Sequence, residues 1–345
     1  MDPGVRRIYG LGCRGPGILR DSGWNGRGPL ALMFAYIIRR ILATIPVMAV
    51  VAIFVFALLY LSPGDPAAII AGDTATVDDI ARIRAKLGLD QPVYIQFGDW
   101  VWRLLKGDLG ISIFTNLPVM KLIEQRVEPT AALTIATLIV SVLAAIPMGV
   151  LAAWRAGSWI DRVVMVFAVL GFSVPVFVLA YLLIYVFAIW ANVLPVQGYV
   201  SITVGFWPFL SHLILPSMAL GMIYAALIAR ITRASMLDVL AQDYIRTAQA
   251  KGLGNQQVLI GHALKNAAVP IVTIIGIGVA LLISGVVVTE TVFAIPGLGR
   301  LTVDAILRRD YPIIQGIILI FSAAYVLVNL LVDLSYTLLD PRIRY

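Results

Sequence analysis

ITRASMLDVLAQDYIRTAQAKGLGNQQVLIGHALKNAAVP, Ile231 to Pro270, is a polar island in an apolar chain. Upstream, Val163 to Ala229 contains no Asp, Glu, Lys or Arg, and neither does Asn266 to Thr289 downstream. The island carries Arg233, Arg246, Lys251 and Lys265 against Asp238 and Asp243. Met236, Leu237, Leu240, Tyr244 and Thr247 recur at three- to four-residue steps, the period of one face of an amphipathic helix. Gly252 and Gly254 break that helix, and Asn255 is placed to cap a second one running toward His262 and Leu264. Pro270 falls near the start of the next apolar run, where a missing N–H costs little. Two short helices around a glycine break predict a compact knob. The alternative is a plain connection between spans, but a structured loop of this length is uncommon without a function.

The 345 residues are 60% hydrophobic and 13% charged; a soluble domain carries about 25% charged residues. The fold class expected is an all-α polytopic membrane protein. Charge-free intervals locate the spans: Ile41–Gly64, Pro129–Trp154, Val163–Ala229, Asn266–Thr289 and Tyr311–Val332. The third is too long for one span of about 20 residues and divides at the turn-forming Asn192 to Gly198. Six transmembrane helices result, the first over residues 33–62.

Lys and Arg in short loops orient such a bundle. With Arg39 and Arg40 inside, so are Arg155, Arg162, Arg230, Arg233, Arg246, Lys251, Lys265, Arg342 and Arg344, against Arg300, Arg308 and Arg309 outside. Both termini are then cytoplasmic, and the formal charge of +7 reflects topology, with no nucleic-acid partner implied. Residues 63–128 form an extracytoplasmic segment after the first helix. Within it Val77–Leu87 and Gln96–Leu105 read as short helices, Thr76 as an N-cap, and Trp100 and Trp102 as interfacial anchors. Residues 1–32 hold eight glycines, three prolines and five arginines and no apolar run. They read as a disordered extension, an upstream start or a dispensable tail before a second start at Met33.

Little here supports chemistry within the chain. Cys13 stands alone outside the spans, and His212 and His262 are far apart, so no metal site is expected. No G-x-x-x-x-G-K-S/T phosphate loop occurs, and Pro296-Gly297-Leu298-Gly299-Arg300 reads as a helix-breaking turn rather than a phosphate cradle. Glu290 and Asp333 stand at span ends and are expected to reach water. Gly171-Phe172-Ser173-Val174-Pro175 lies within the third span, where proline kinks a helix. Ser173 and Pro175 are candidate hinge or pathway residues, with simple packing as the alternative. Leu301 to Arg309 is amphipathic and suits an external re-entrant or interfacial element.

The segment Asp243 to Leu253, DYIRTAQAKGL, resembles the EAA loop of ABC importer permeases. Arg246, Thr247 and Ala248 take the Glu-Ala-Ala places and Gly252 the glycine. Arginine for the acid, and Pro270 as the following proline, resemble the peptide/nickel branch. Leu61 to Pro66 (LSPGDP), Gly107 to Ser112 (GDLGIS), Thr289 to Gly316 and Leu339 to Arg342 (LDPR) also resemble that branch, over Met33 to Tyr345. The chain is similar to the first permease subunit of a dipeptide/oligopeptide importer.

The resemblance implies a type I ABC importer permease fold, with residues 129–345 as the permease domain and residues 234–267 as a cytoplasmic coupling loop. Asp243, Tyr244, Arg246, Thr247, Ala248, Ala250, Lys251, Gly252 and Leu253 would seat on an ATPase. Ala248 and Gly252 would allow close approach, and Arg246 and Lys251 would pair with acidic rims. Pro296, Gly297 and Gly299 are candidates for an external gate. Partners implied are a second homologous permease subunit, two cytoplasmic ATPase subunits, an extracytoplasmic substrate-binding protein and the lipid of a bacterial inner membrane. No catalytic residue and no cofactor is expected in the chain itself, since ATP and Mg would sit on the ATPases. Glutathione, opine or a nickel chelate are alternative cargoes to a peptide. A self-contained secondary transporter would need intramembrane coupling acids and inverted repeats. A membrane-embedded enzyme would need clustered nucleophiles, metal ligands or paired carboxylates within the spans.

Overall fold

The computed structural model describes residues 29–61, 67–68, 76–86 and 88–339. Their regular structure is helical, apart from an isolated bridge between Ile111 and Pro118. The expected extension at 1–28, with Cys13, and the motif residues 62–66 and 340–342 lie outside the described residues.

The first span is α1 (Pro29–Leu61). It starts ahead of Met33, so residues 29–32 are helical and not part of a structureless lead. Two short helices follow, α2 (Val77–Lys86) and α3 (Val93–Leu105). The second span is α4 (Val119–Trp154), which contains Pro129 and Pro147. Its first turns, Val119 to Glu128, precede the charge-free interval that opens at Pro129. Charge counting locates where a helix enters lipid, not where it starts, and Lys121, Glu124, Gln125 and Glu128 are good helix formers.

The third span is the largest departure. It is broken into α5 (Trp159–Ser173) and α6 (Val176–Leu183, continuing with wider π winding over Ile184–Trp190), bent by 106°. Each limb of 15 residues (Trp159–Ser173 and Val176–Trp190) rises roughly 22 Å, short of the ~30 Å hydrocarbon core. The cause is local. Pro175 has no N–H to donate and excludes Val174 from the helical region; Val174 sits at φ −87°, ψ 125°. The helix ends there instead of kinking.

Then come α7 (Phe206–Leu240), α8 (Asp243–Ala250), the π-wound α9 (Gln257–Leu264), α10 (Ala268–Val292), α11 (Leu298–Arg308) and α12 (Tyr311–Leu339). Among the described residues four helices are long and apolar enough to cross a membrane, or up to six spans if each bent pair counts as one; the second pair, α9 with Ala268–Ile283, bends by 69°.

α4 and α7 form the centre. Their seam is built of small residues, which let backbones approach without side-chain cost. A Cβ on Gly149 would lie 2.6 Å from the Thr232 Cβ and 2.7 Å from the Ala229 carbonyl oxygen. Ser141 donates to the carbonyls of Thr137 (2.7 Å) and Gly221 (3.1 Å). Around this pair lie three apolar clusters. A central one joins Leu133, Leu213, Leu220, Ile228 and Leu282. A second joins Val119, Ile123, Leu298, Leu301 and Ile317. A third joins Met236, Ile245, Val258, Ala263 and Ile271. α1 lies along α12, tied by Gln315 Nε2 donating to the Val55 carbonyl (3.1 Å) and by the Arg40–Asp333 ion pair. Asp333, expected to reach water, is thus held by Arg40.

Candidate functional site

The polar island folds as two helical hairpin limbs, divided differently from the amphipathic pattern. Met236, Leu237 and Leu240 complete α7, and the chain turns at Gln242 (φ −75°, ψ 147°) before α8. Tyr244 and Thr247 therefore belong to a separate helix, which the common period masks because both helices bury apolar residues at the same spacing. α8 ends in a Schellman motif: Leu253 N–H donates to the Ala248 carbonyl and Gly252 N–H to that of Gln249. This closure requires a left-handed residue, and Gly252 supplies it at φ 82°. The next helical turn begins at Asn255, with Val258 N–H donating to the Gly254 carbonyl, so Gly254 and not Asn255 holds the cap position.

α8 has two faces. Ile245 is buried in the apolar cluster with Met236 and Val258, and Ala248 is buried as well. Asp243, Tyr244, Arg246, Thr247, Ala250, Lys251 and Gly252 are exposed, and Leu253 is half-buried. Ala248 is 8% exposed, which corrects its expected place on an outer contact surface. Arg246 and Asp243 are 3.5 Å apart on the exposed face, a one-turn pair of little energetic weight. Beside it an open groove is lined by Leu253, Gln256, Gln257, Ile260, Gly261 and His262.

Arg233 leaves the island's set of free cations. Its Nε donates to Asp161 Oδ1 at 2.5 Å and its Nη2 to Oδ2 at 2.7 Å. Asp161, in the first turn of α5, was not among the residues singled out from the sequence; the Ser158-x-x-Asp161 N-cap spacing was the available signal.

The Pro296–Arg300 turn closes over a carboxylate. Glu290 is fully buried, which corrects its expected access to water. It accepts from the Thr130 hydroxyl (2.6 Å) and from Arg300 N–H (3.0 Å), while Leu298 N–H donates to Thr130 Oγ1 (2.8 Å). The first turn of α11, whose N–H groups lack helical partners, is thus satisfied from within. Gly297 is required because a Cβ there would overlap the Glu290 carboxylate, and Gly299 because a Cβ would lie 2.6 Å from the Val287 Cα. Pro296 remains exposed.

A second buried acid closes the far end of α11. Asp310 accepts from the Ser112 hydroxyl (2.6 Å) and Ile113 N–H (3.3 Å), joining the GDLGIS string to the start of α12. Glu128 accepts from Tyr199 (2.9 Å) and Ser201 (2.6 Å), fastening the 191–205 loop; burial, and then this carboxylate, push the Tyr199 phenol well above its usual range. At the α5–α6 bend, exposed Ser173 donates to the Val169 carbonyl (2.8 Å), and Pro175 opens α6. Val174 and Val176 pack on the central cluster that includes Phe293 and Ile295, so the bend and the start of the 296–300 turn share one core. The knob has its own.

Two family models match the chain. "Binding-protein-dependent transport system inner membrane component" matches residues 145–345, and the corresponding N-terminal model matches residues 33–134. The chain belongs to this family. It is the membrane permease component of a binding-protein-dependent ABC importer. The permease is 57% identical over 313 residues to the "Probable peptide ABC transporter permease protein y4tP" of Sinorhizobium fredii, covering 91% of this chain and 100% of that protein. It is 44% identical over 314 residues to the glutathione transport system permease protein GsiC of Salmonella typhi, with 91% and 100% covered. Its fold is that of the MetNI methionine ABC transporter solved in inward-facing conformations, with a TM-score of 0.54 at 19% identity over 64% of this chain and 97% of that one.

Proposed function

We propose that this permease carries peptides across a bacterial inner membrane, with both termini cytoplasmic. It would work beside a second homologous permease subunit and take cargo from an extracytoplasmic binding protein. Two ATPase subunits, holding ATP and Mg, would supply hydrolysis and dock on the knob. The observation that carries the docking reading is the division of α8: Ile245 and Ala248 hold it to the bundle, while Tyr244, Arg246, Thr247 and Lys251 are left outward. A helix anchored on one face and polar and cationic on the other suits a partner with acidic rims, where charge sets orientation and encounter rate more than affinity. ATP-driven closure of the ATPases would then bias the bundle between its states through differential binding.

A peptide cargo is favoured by the relatives' names, y4tP and a peptide transport system permease of Brucella melitensis at 45% identity. Glutathione, itself a short peptide, is the second reading, favoured by GsiC. The complete transporter in proteoliposomes distinguishes them. ATP-dependent uptake of a labelled dipeptide or oligopeptide, uncompeted by glutathione, supports the first reading, and the reverse pattern the second. Docking is tested by co-purifying the ATPases with the Arg246→Glu/Lys251→Glu permease. Full retention of the ATPases would remove the knob from the coupling role.

A further inference from the structure

The Asp161–Arg233 pair has no place in the docking face and none in the corner around α11, yet it is a desolvated charge pair. The Asp161 side chain is 6% exposed and that of Arg233 26%. Its geometry is a two-pronged guanidinium–carboxylate contact at 2.5 and 2.7 Å, with Gly157 N–H donating a third bond to Oδ2 at 3.0 Å. Such a fork fixes direction as well as distance, which a lysine cannot do. What it joins matters more than its strength. Arg233 lies in the last turns of α7, one turn before Met236, which is fully buried against the knob residues Ile245 and Val258. The end of α7, α8 and α9 are therefore one packed body. Asp161 lies in the first turn of α5, whose other end stops at Val174 and turns by 106° into α6. Along its length α5 sits close on α7, where a Cβ on Gly171 would lie 3.1 Å from that of Ala226.

We propose that Asp161 and Arg233 are positioning residues for transport: their pair hands displacement of the knob to the α5–α6 bent helix pair, so that α5 moves with α7 instead of slipping along it. The small-residue contact at Gly171 permits sliding, because it has no directional bonds. The forked ion pair forbids it. This inference rests on the reading of α8 as the ATPase-docking helix.

The test uses the full transporter in proteoliposomes with its binding protein, and reads three quantities: ATPase co-purification, ATP hydrolysis and peptide taken up per ATP. Asp161→Asn and Arg233→Gln are expected to keep the ATPases bound and ATP hydrolysed, while uptake per ATP falls at least tenfold. The exchanged pair, Asp161→Arg with Arg233→Asp, is expected to recover a substantial part of that ratio. A wild-type ratio in the assembled single variants overturns the proposal. Should those variants fail to assemble, Arg233→Lys carries the test: it keeps the charge and loses the fork, and a wild-type ratio in it overturns the proposal equally. Failure of the docking reading shows separately, as unchanged ATPase association in Arg246→Glu/Lys251→Glu.

Discussion

The corner around α11 and the knob at α8 treat charge in opposite ways. Around α11 the acids turn inward: Glu290 and Asp310 are buried and matched by hydroxyls and backbone N–H groups. On α8 the charged side chains turn outward, and only apolar Ile245 and Ala248 face the bundle. A buried carboxylate is tolerated only when its hydrogen bonds are complete, so the corner is a self-sufficient structure. The knob is anchored by buried Ile245 and keeps its charged side chains on the exposed face. That difference separates a part that closes on itself from a part that awaits a partner.

The comparison breaks most severely at Glu290. Glu290→Ala is expected to destabilise the permease by about 3 kcal/mol, because the Thr130 hydroxyl and Arg300 N–H lose their acceptor in a buried place. The midpoint of thermal unfolding in detergent measures this, and an unchanged midpoint would show that the corner does not depend on its acid. Ser112→Ala is expected to cost about 2 kcal/mol by the same measurement, since Asp310 keeps only the longer bond from Ile113. On the knob the expectation reverses. Arg246→Glu/Lys251→Glu should leave the unfolding midpoint within a degree or two, because surface charges carry little stability. It should weaken ATPase binding at least tenfold, about 1.4 kcal/mol, as read by titrating the purified ATPase. Gly252→Ala is the mildest. Space is open around its Cβ, so only the left-handed backbone is penalised, by about 1 kcal/mol. A loss above about 3 kcal/mol would mean that something packs on this glycine.

Much of this was legible before any coordinates. The charge-free intervals located the apolar helices, since lipid excludes charge wherever it occurs along the chain. The glycine at position 252 and the turn at Asn192–Gly198 announced themselves through residue type. The division of the island was not legible. Met236 to Thr247 has one apolar period, and a period does not reveal that the axis turns at Gln242. Nor was the fate of the acids. Glu290 and Asp333 look alike at span ends, but one is enclosed by Thr130 and the 296–300 turn and the other pairs with Arg40. Each outcome depends on a residue more than a hundred positions away, Thr130 for Glu290 and Arg40 for Asp333, and no local rule carries that information. Arg233 looked like its neighbours Arg246 and Lys251 for the same reason; its partner lies in another helix.

The sequence by itself determined that this chain is a bundle of membrane helices with one structured basic loop, because burial in lipid and helix termination are decided residue by residue. Motif spacing along the chain pointed to the family that the comparisons then established. Only the tertiary structure decided which charges are spent inside and which are left for partners, that the third span ends and turns at Pro175, and that Ala248 faces inward. Those outcomes follow from which helices meet, and side chains distant in sequence become neighbours only once the bundle has packed.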